Sequence, residues 1–212
     1  MIEVTLDGVN LYRTHRIVVE SFKIGIPEPQ LTTVEVPGRN GKLDMSEALT
    51  GHVTYNNRSI EIILGIIGNE EVIEQKRLAL LNLMNKTKCK IKFSHMQGYF
   101  EGRCVVVDMS REHGHYTIKL SCDCFPYRYL DSEFSQIRTL TSTPTALSCL
   151  CLMMPVVPTI ETSSSATIKH KISTFTVQKG VHTLPILFKQ GANELTVSGS
   201  GTLKVMYRQG VL

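Results

Sequence analysis

The chain has no tryptophan, and Tyr and Phe contribute only seven residues each to its 212. Few large rings are therefore free to stack on sugars, the usual platform of a carbohydrate site. Long apolar runs are missing too. The greasiest stretch, "ALSCLCLMMPVV", is broken by Ser148 and Pro155. A bilayer span needs roughly 20 consecutive apolar residues, so this stretch reads as a core strand and its continuation, and no membrane partner is expected. The start, "MIEVTLDGVN", offers neither a basic n-region nor an apolar h-region, so no secretory signal is expected. The excess of one charge sign is small, a net +4 with a pI ≈ 8.7. A dedicated nucleic-acid face concentrates more positive charge than that, so sequence-specific nucleic acid is not an expected partner.

Catalytic signatures are equally scarce. A phosphate-cradling loop needs G-x-x-x-x-G-K-[ST]; around Gly41–Lys42 the chain has Val36 at the first glycine position and Leu43 in place of the hydroxyl. Neither G-x-S-x-G nor H-E-x-x-H is present. His113 and His115 in "REHGHY" could share a metal or sit in a solvated turn, and no matching ligand pair lies elsewhere. No enzyme activity, cofactor or metal is expected.

What is present is an ordinary globular composition, 42% hydrophobic and 20% charged, long enough for two small domains with their own cores. The six cysteines fit alternating strands. In "HYTIKLSCDC", Tyr116, Ile118, Leu120, Cys122 and Cys124 share one face, opposite Thr117, Lys119, Ser121 and Asp123. Strand neighbours at i and i+2 stand about 7 Å apart, too far for a relaxed disulfide. Cys149 and Cys151 repeat the spacing, and the zinc-type C-x-x-C is absent. Free, buried thiols in a reducing compartment are expected rather than a metal site.

Most of the chain reads as short strands. "RSIEIIL" alternates Ile60, Ile62 and Leu64 with Ser59, Glu61 and Ile63, while "YFEGRCVVVDM" and "HYTIKLSCDC" flank "SREHG" and should pair antiparallel. One helix interrupts them. Asn69 is its N-cap, Glu70 and Glu71 fill the first turn, and Ile73, Leu80, Leu81, Leu83 and Met84 form its apolar stripe, with the Arg77 stem packed there and its head in water. The stripe fits either a sheet or a partner's groove. In "KTKCKIKF", Lys86, Lys88, Lys90 and Lys92 share a strand face opposite Thr87, Cys89, Ile91 and Phe93. That face is either solvated, also guarding an exposed edge, or a basic stripe toward an acidic partner. The sequons at Asn57 and Asn85 are chance matches without a secretory route.

Beyond "CFPYRYL" charge thins and Ser, Thr and Gly rise. "ATIKHKI", "STFTVQKG", "LPILFKQG" and "NELTVSG" alternate between turn signals, as in an all-β sandwich. The boundary falls between Phe125 and Leu130, giving domains 1–127 and 128–212.

The most individual segment is "VPGRNGKLDMSEALTG", followed by "VTYNNRSIEI". Pro37-Gly38 suits the centre of a type II turn and Asn40-Gly41 a type I′ turn, so Arg39 is held between two turns on a projecting loop. Pro37, Gly38, Arg39, Gly41, Leu43, Asp44, Ser46, Glu47, Ala48, Leu49, Thr50, Gly51, Tyr55, Asn57 and Arg58 closely resemble the motif of the distal tail protein family of long-tailed bacteriophages and prophages. The helix, the "FPYRY" junction (Phe125 where the family often has Asp) and the ending "GANELTVSGSGTLKVMYRQGVL" are similar as well, and the likeness is weakest from Thr139 to Lys171.

That resemblance implies a mainly β protein. Its N-terminal tail-tube-like β-sandwich or split barrel would carry one flanking helix, and its C-terminal domain would be a galectin-like β-sandwich. It implies a structural virion protein of the siphovirus baseplate, made in the host cytoplasm and carried at the tail tip. Its hexameric ring would connect the tail tube to the tail-tip hub, in many phages carrying a receptor-binding protein. Pro37, Gly38, Arg39, Asn40, Gly41 and Leu43 would lie at a subunit interface, or else act within their own domain. A carbohydrate-binding module for host adhesion and another tail-tube-like tail-tip protein are the rival readings.

Overall fold

Period-two burial shapes the first half of the chain. The structure, a computed structural model, describes residues 1–84, 88–112 and 115–212; Asn85, Lys86, Thr87, His113 and Gly114 lie outside the described residues. Two compact units result, Met1–Arg128 and Tyr129–Leu212.

The first unit contains β1 (Val4–Leu6), β2 (Val9–Asn10), helix α1 (Leu11–His15), β3 (Val18–Ile24), β4 (Thr33–Val34), β5 (Leu43–Asp44), β6 (Arg58–Ile67), helix α2 (Glu70–Met84), β7 (Cys89–Phe93), β8 (Phe100–Glu112) and β9 (His115–Cys124). Seven of these strands make one antiparallel sheet in the order β2-β1-β7-β8-β9-β6-β3, while β4 and β5 pair only with each other. Ile60, Ile62, Leu64 and Ile66 of β6 point into the same core as Ile118, Leu120, Cys122 and Cys124 of β9. The sheet is curled. Phe22 on edge strand β3 and Phe93 on β7 are four strand positions apart, about 19 Å in a flat sheet, yet their ring centroids are 4.9 Å apart. An open barrel of this kind is the expected split-barrel architecture.

Helix α2 begins as the sequence indicates. Asn69 Oδ1 accepts from the Val72 amide at 3.0 Å, and Ile73, Leu80 and Met84 are buried. The stripe therefore packs into this unit's own core. Arg77 holds Glu74 through two hydrogen bonds of 2.6 and 2.8 Å, which draws its head onto the helix surface. The one-turn helix α1 was not anticipated. It has too few residues to show a period, and its signals are local: Asn10 Oδ1 caps the Arg13 amide at 2.9 Å, and Arg16 closes it at φ 54°.

Two expectations need correction. Strand β8 runs on through Ser110–Glu112, so Glu112 opposes His115 and the hairpin connection is shorter than "SREHG". Strand β7 lies between β1 and β8, so its lysines guard no edge. Lys88 and Lys90 do face out, opposite buried Cys89 and Ile91. Lys88 pairs with Glu101 at 3.5 Å and the Lys90 ammonium lies 5.0 Å from the Tyr99 ring centroid. Lys86 is outside the described residues.

The second unit packs two four-stranded sheets face to face. One contains β10 (Arg128–Thr139), β12 (Thr159–Thr162), β15 (Gly180–Thr183) and β17 (Thr202–Val211), in the order β10-β17-β12-β15. The other contains β11 (Thr145–Cys151), β13 (Ala166–His170), β14 (Ser173–Val177) and β16 (Gly191–Gly199), in the order β11-β16-β13-β14. Leu147, Cys149 and Cys151 of β11, Leu195 and Val197 of β16, Ile160 of β12 and Leu203, Val205 and Tyr207 of β17 meet in one core. This is a β-sandwich. The run "LPILFKQG" is not the strand its alternation indicates. Pro185 has no amide to donate, the Ile186 amide turns back to Leu184 O at 2.7 Å, Phe188 makes a single bridge to Val156, and the Lys189 amide bonds the Asn193 side chain instead of a strand.

All six cysteines are free and buried. Burial pushes the Cys149 thiol up to about 11. Burial, with Asp123 beside it, pushes Cys124 up to about 12. Neither thiol is a nucleophile near neutrality. Among the described residues no group of three His, Cys, Asp or Glu is placed to hold a metal ion, and no helix is long and apolar enough to cross a membrane.

Candidate functional site

Between β3 and β6 the chain leaves the sheet and returns. Its root is fixed by four contacts: Gly25 N to Ser59 O at 2.8 Å, Asn56 N to Glu28 O at 2.8 Å, Gln30 N to Thr54 O at 2.8 Å, and Thr54 Oγ1 to Gln30 Oε1 at 3.1 Å. Tyr55 stands edge-on to Tyr127, with centroids 5.9 Å apart. Farther out, Thr33 opposes Asp44 and Val34 opposes Leu43. Met45 N donates to Thr32 O, and Thr32 N to Ser46 Oγ, both at 2.8 Å.

The tip obeys its turn residues in part. Arg39 N donates to Val36 O at 3.1 Å and Gly38 has φ 79°, the geometry of a type II turn with Pro37 in its first central position. Asn40-Gly41 is not type I′. Gly41 has φ 76°, but Asn40 lacks the positive φ that such a turn requires at both central positions. A two-residue hairpin must match strand twist; here eight residues, Glu35 to Lys42, separate β4 from β5, and that demand vanishes. Glu35, Val36, Pro37, Arg39, Gly41 and Lys42 enclose an open cleft of about 610 Å³, with Lys42 Nζ 3.3 Å from Glu35 Oε1.

The "LDMSEALTG" run closes on itself. Asp44 Oδ1 accepts from the Ser46 hydroxyl at 2.5 Å and the Ser46 amide at 2.9 Å, and these bonds lower the Asp44 pKa below the ordinary carboxylate value. Ala48 N donates to Met45 O at 3.0 Å and Gly51 N to Glu47 O at 2.7 Å, with Gly51 at φ 64°. Thr50 Oγ1 donates to His52 O at 2.6 Å.

Pro37, Gly38, Arg39, Asn40 and Gly41 are exposed together at the tip, and Leu43 is half-buried on β5. Arg39 has no ion pair among the described residues. Ile26 and Leu31, 91% and 68% exposed, escaped the sequence reading, and Leu49, named there only as part of the motif, is fully exposed. No residue from Glu28 to Asn57 is buried. Uncovered apolar side chains gathered on one hydrogen-bonded segment make it the candidate interaction surface.

In the second unit no aromatic ring is exposed among the described residues. Phe188 and Tyr207 are buried, the latter donating to Leu150 O at 2.7 Å, and Phe134 stacks on Tyr207 at 4.6 Å.

No protein-family model matches this chain, and no curated protein matches it. Solved structures do. The SPP1 Dit protein (gp 19.1), described as a paradigm of the hub adsorption apparatus in phages infecting Gram-positive bacteria, is 15% identical, with 100% of both chains covered and a TM-score of 0.75. The phage P2 baseplate in its activated conformation with Ca also matches, at 9% identity over 100% of this chain and 99% of that one, TM-score 0.46. So does its Sr-bound counterpart, at 8% identity over 98% of each chain, TM-score 0.45. From end to end this chain has the fold of the SPP1 Dit protein.

Proposed function

We propose that the chain is a distal tail protein, a structural part of a long-tailed phage or prophage. Six copies form a ring that joins the tail tube to the tail-tip hub, in position to carry a receptor-binding protein. It works in the virion at the tail tip after synthesis in the host cytoplasm, and it has no catalytic role. The observation that carries this reading is the full-length fold shared with a hub adsorption protein. The ordered segment from Glu28 to Asn57, which has no buried residue of its own, supports it. A ring subunit acts by presenting rigid, shape-matched surfaces to copies of itself. The turn-fixed tip, Pro37 to Gly41 with Leu43 behind it, is such a surface, and Arg39 makes a charge-assisted contact there with a neighbouring subunit or the adjoining tail ring.

The carbohydrate-binding reading finds, among the described residues of the second unit, no exposed ring for a sugar to stack on. A simple tail-tube subunit would not need the second sandwich. Converting Arg39 to Glu and measuring ring mass by light scattering tests the proposal. Assembly should fall while thermal unfolding of the isolated copy stays unchanged; hexamers that form normally and still attach to tubes would retire the role given to Arg39.

A further inference from the structure

Two arginines in the first unit lack the partner that buried charge demands. Arg58 opens β6 opposite Cys124 and is only 6% exposed. Its guanidinium carbon lies 5.2 Å from the Phe100 ring centroid. Its Nε is buried with no hydrogen-bond partner, and so is the Nε of Arg128. Neither side chain has an ion pair among the described residues. Asp123, beside Cys124 in the chain, accepts from Asn57 Nδ2 at 3.0 Å and pairs with neither arginine among the described residues. Burial first, and the Arg128 charge second, lower the Arg58 pKa. A buried charge beside a like charge, with no anion, is unfavourable, and proteins keep such an arrangement where something negative completes it. Tyr55, Tyr127 and Phe125 stand in a row nearby, with centroids 5.9 and 5.7 Å apart, and Phe125 is exposed. The site therefore combines a cationic floor with an aromatic rim.

The complementary shape is on the same chain. Of the acidic residues on the projecting segment, Asp44 is held by Ser46 and Glu35 by Lys42. Glu28 stands at the root beside Asn56 and even there leaves Arg58 unpaired. Glu47 has no side-chain partner among the described residues, and it shares its turn with the fully exposed Leu49. We infer that Glu47 and Leu49 of one copy dock on Arg58, Arg128 and the Tyr55–Phe125 rim of the next copy. The inference rests on the ring reading and deepens it by naming the acceptor. Donor and acceptor are different surfaces, so the contact is head-to-tail, the type that closes into rings.

The test compares assembly midpoints of the wild type, Glu47→Gln, Arg128→Gln and Arg58→Gln by mass photometry across concentration. The pair Glu47→Arg with Arg128→Glu is included. Each single change should weaken assembly roughly tenfold or more, and the exchanged pair should recover it. The isolated Arg128→Gln copy should be at least as stable as wild type, because the repulsion acting on the buried Arg58 is gone. If Arg58→Gln does not fold, the half-buried Arg128 carries the test alone. A wild type that rings while Glu47→Gln and Arg128→Gln ring equally well overturns the docking and leaves the ring standing. A wild type that never assembles overturns both. If Arg128→Gln weakens assembly, Glu47→Gln does not, and inorganic phosphate raises Tm only where Arg128 is present, the site holds a free anion and the assignment to Glu47 fails.

Discussion

Strands β6 and β9 and the segment from Glu28 to Asn57 lie in the same unit, and both are tied by backbone hydrogen bonds, yet they treat their apolar side chains in opposite ways. In the strands Ile60, Ile62, Leu64, Ile118 and Leu120 are buried on one face. In the segment Ile26, just before it, and Leu31, Val34, Met45 and Leu49 within it stand in solvent, although turns and side-chain caps hold their backbone in place. The strands store stability, and the proposed ring gives the segment's exposed side chains their use. Hydrogen bonds contribute about 0.5–1.5 kcal/mol each net, enough to fix a conformation but not to replace a core, so the segment is ordered by its anchors, and its apolar side chains stay uncovered in the single chain.

Substitutions that push each region toward the other's behaviour should separate the two. The largest effect belongs to Leu120→Ala, which should cost the isolated copy about 2–5 kcal/mol in denaturant unfolding, because its side chain is wholly buried. Gly102→Ala comes next, at about 1–3 kcal/mol: a Cβ there would collide with Asp123 O and with Cys124, at 2.5 Å from its Cα. Alkali should act through the cores of both units, Cys124 in the first and Cys149 in the second. The Cys149 and Cys124 thiols stay protonated in the folded chain up to about 11 and about 12, against 9.0 when free. The unfolded chain therefore loses protons first, and stability present below pH 9 should drain away between 9 and 12, with fast thiol labelling only on unfolding. Leu49→Ala is the smallest, within about 0.5 kcal/mol for the isolated copy, yet it should weaken self-association; an equal loss in both readouts would erase the distinction between the regions.

The sequence made the strands legible because alternation reports which face is buried, as in "RSIEIIL" and "HYTIKLSCDC". It also made legible the Asn69 cap and the Pro37-Gly38 turn, where a few adjacent residues decide the geometry. Strand order was not legible. Nothing local to "KCKIKF" says that β1 and β8 flank it, and so the lysine face was read as an edge. Asn40-Gly41 carried the residues of a type I′ turn, but turn type depends on how directly the strands are joined. Arg58 and Arg128 sit in two recognisable motifs seventy residues apart, and only folding makes them neighbours. The six tip residues are a proposal about assembly, and the exposure of Glu47 and Leu49, which the sequence gives only as members of the motif, is visible in the fold alone.

The most direct test is the mass of the purified chain as concentration rises, alone and with its tail tube, checked by negative-stain imaging. A closed ring of six times the 23.7 kDa chain with a central opening is the result expected here. A particle that keeps the mass of one copy at every concentration, and beside the tube, would contradict the account.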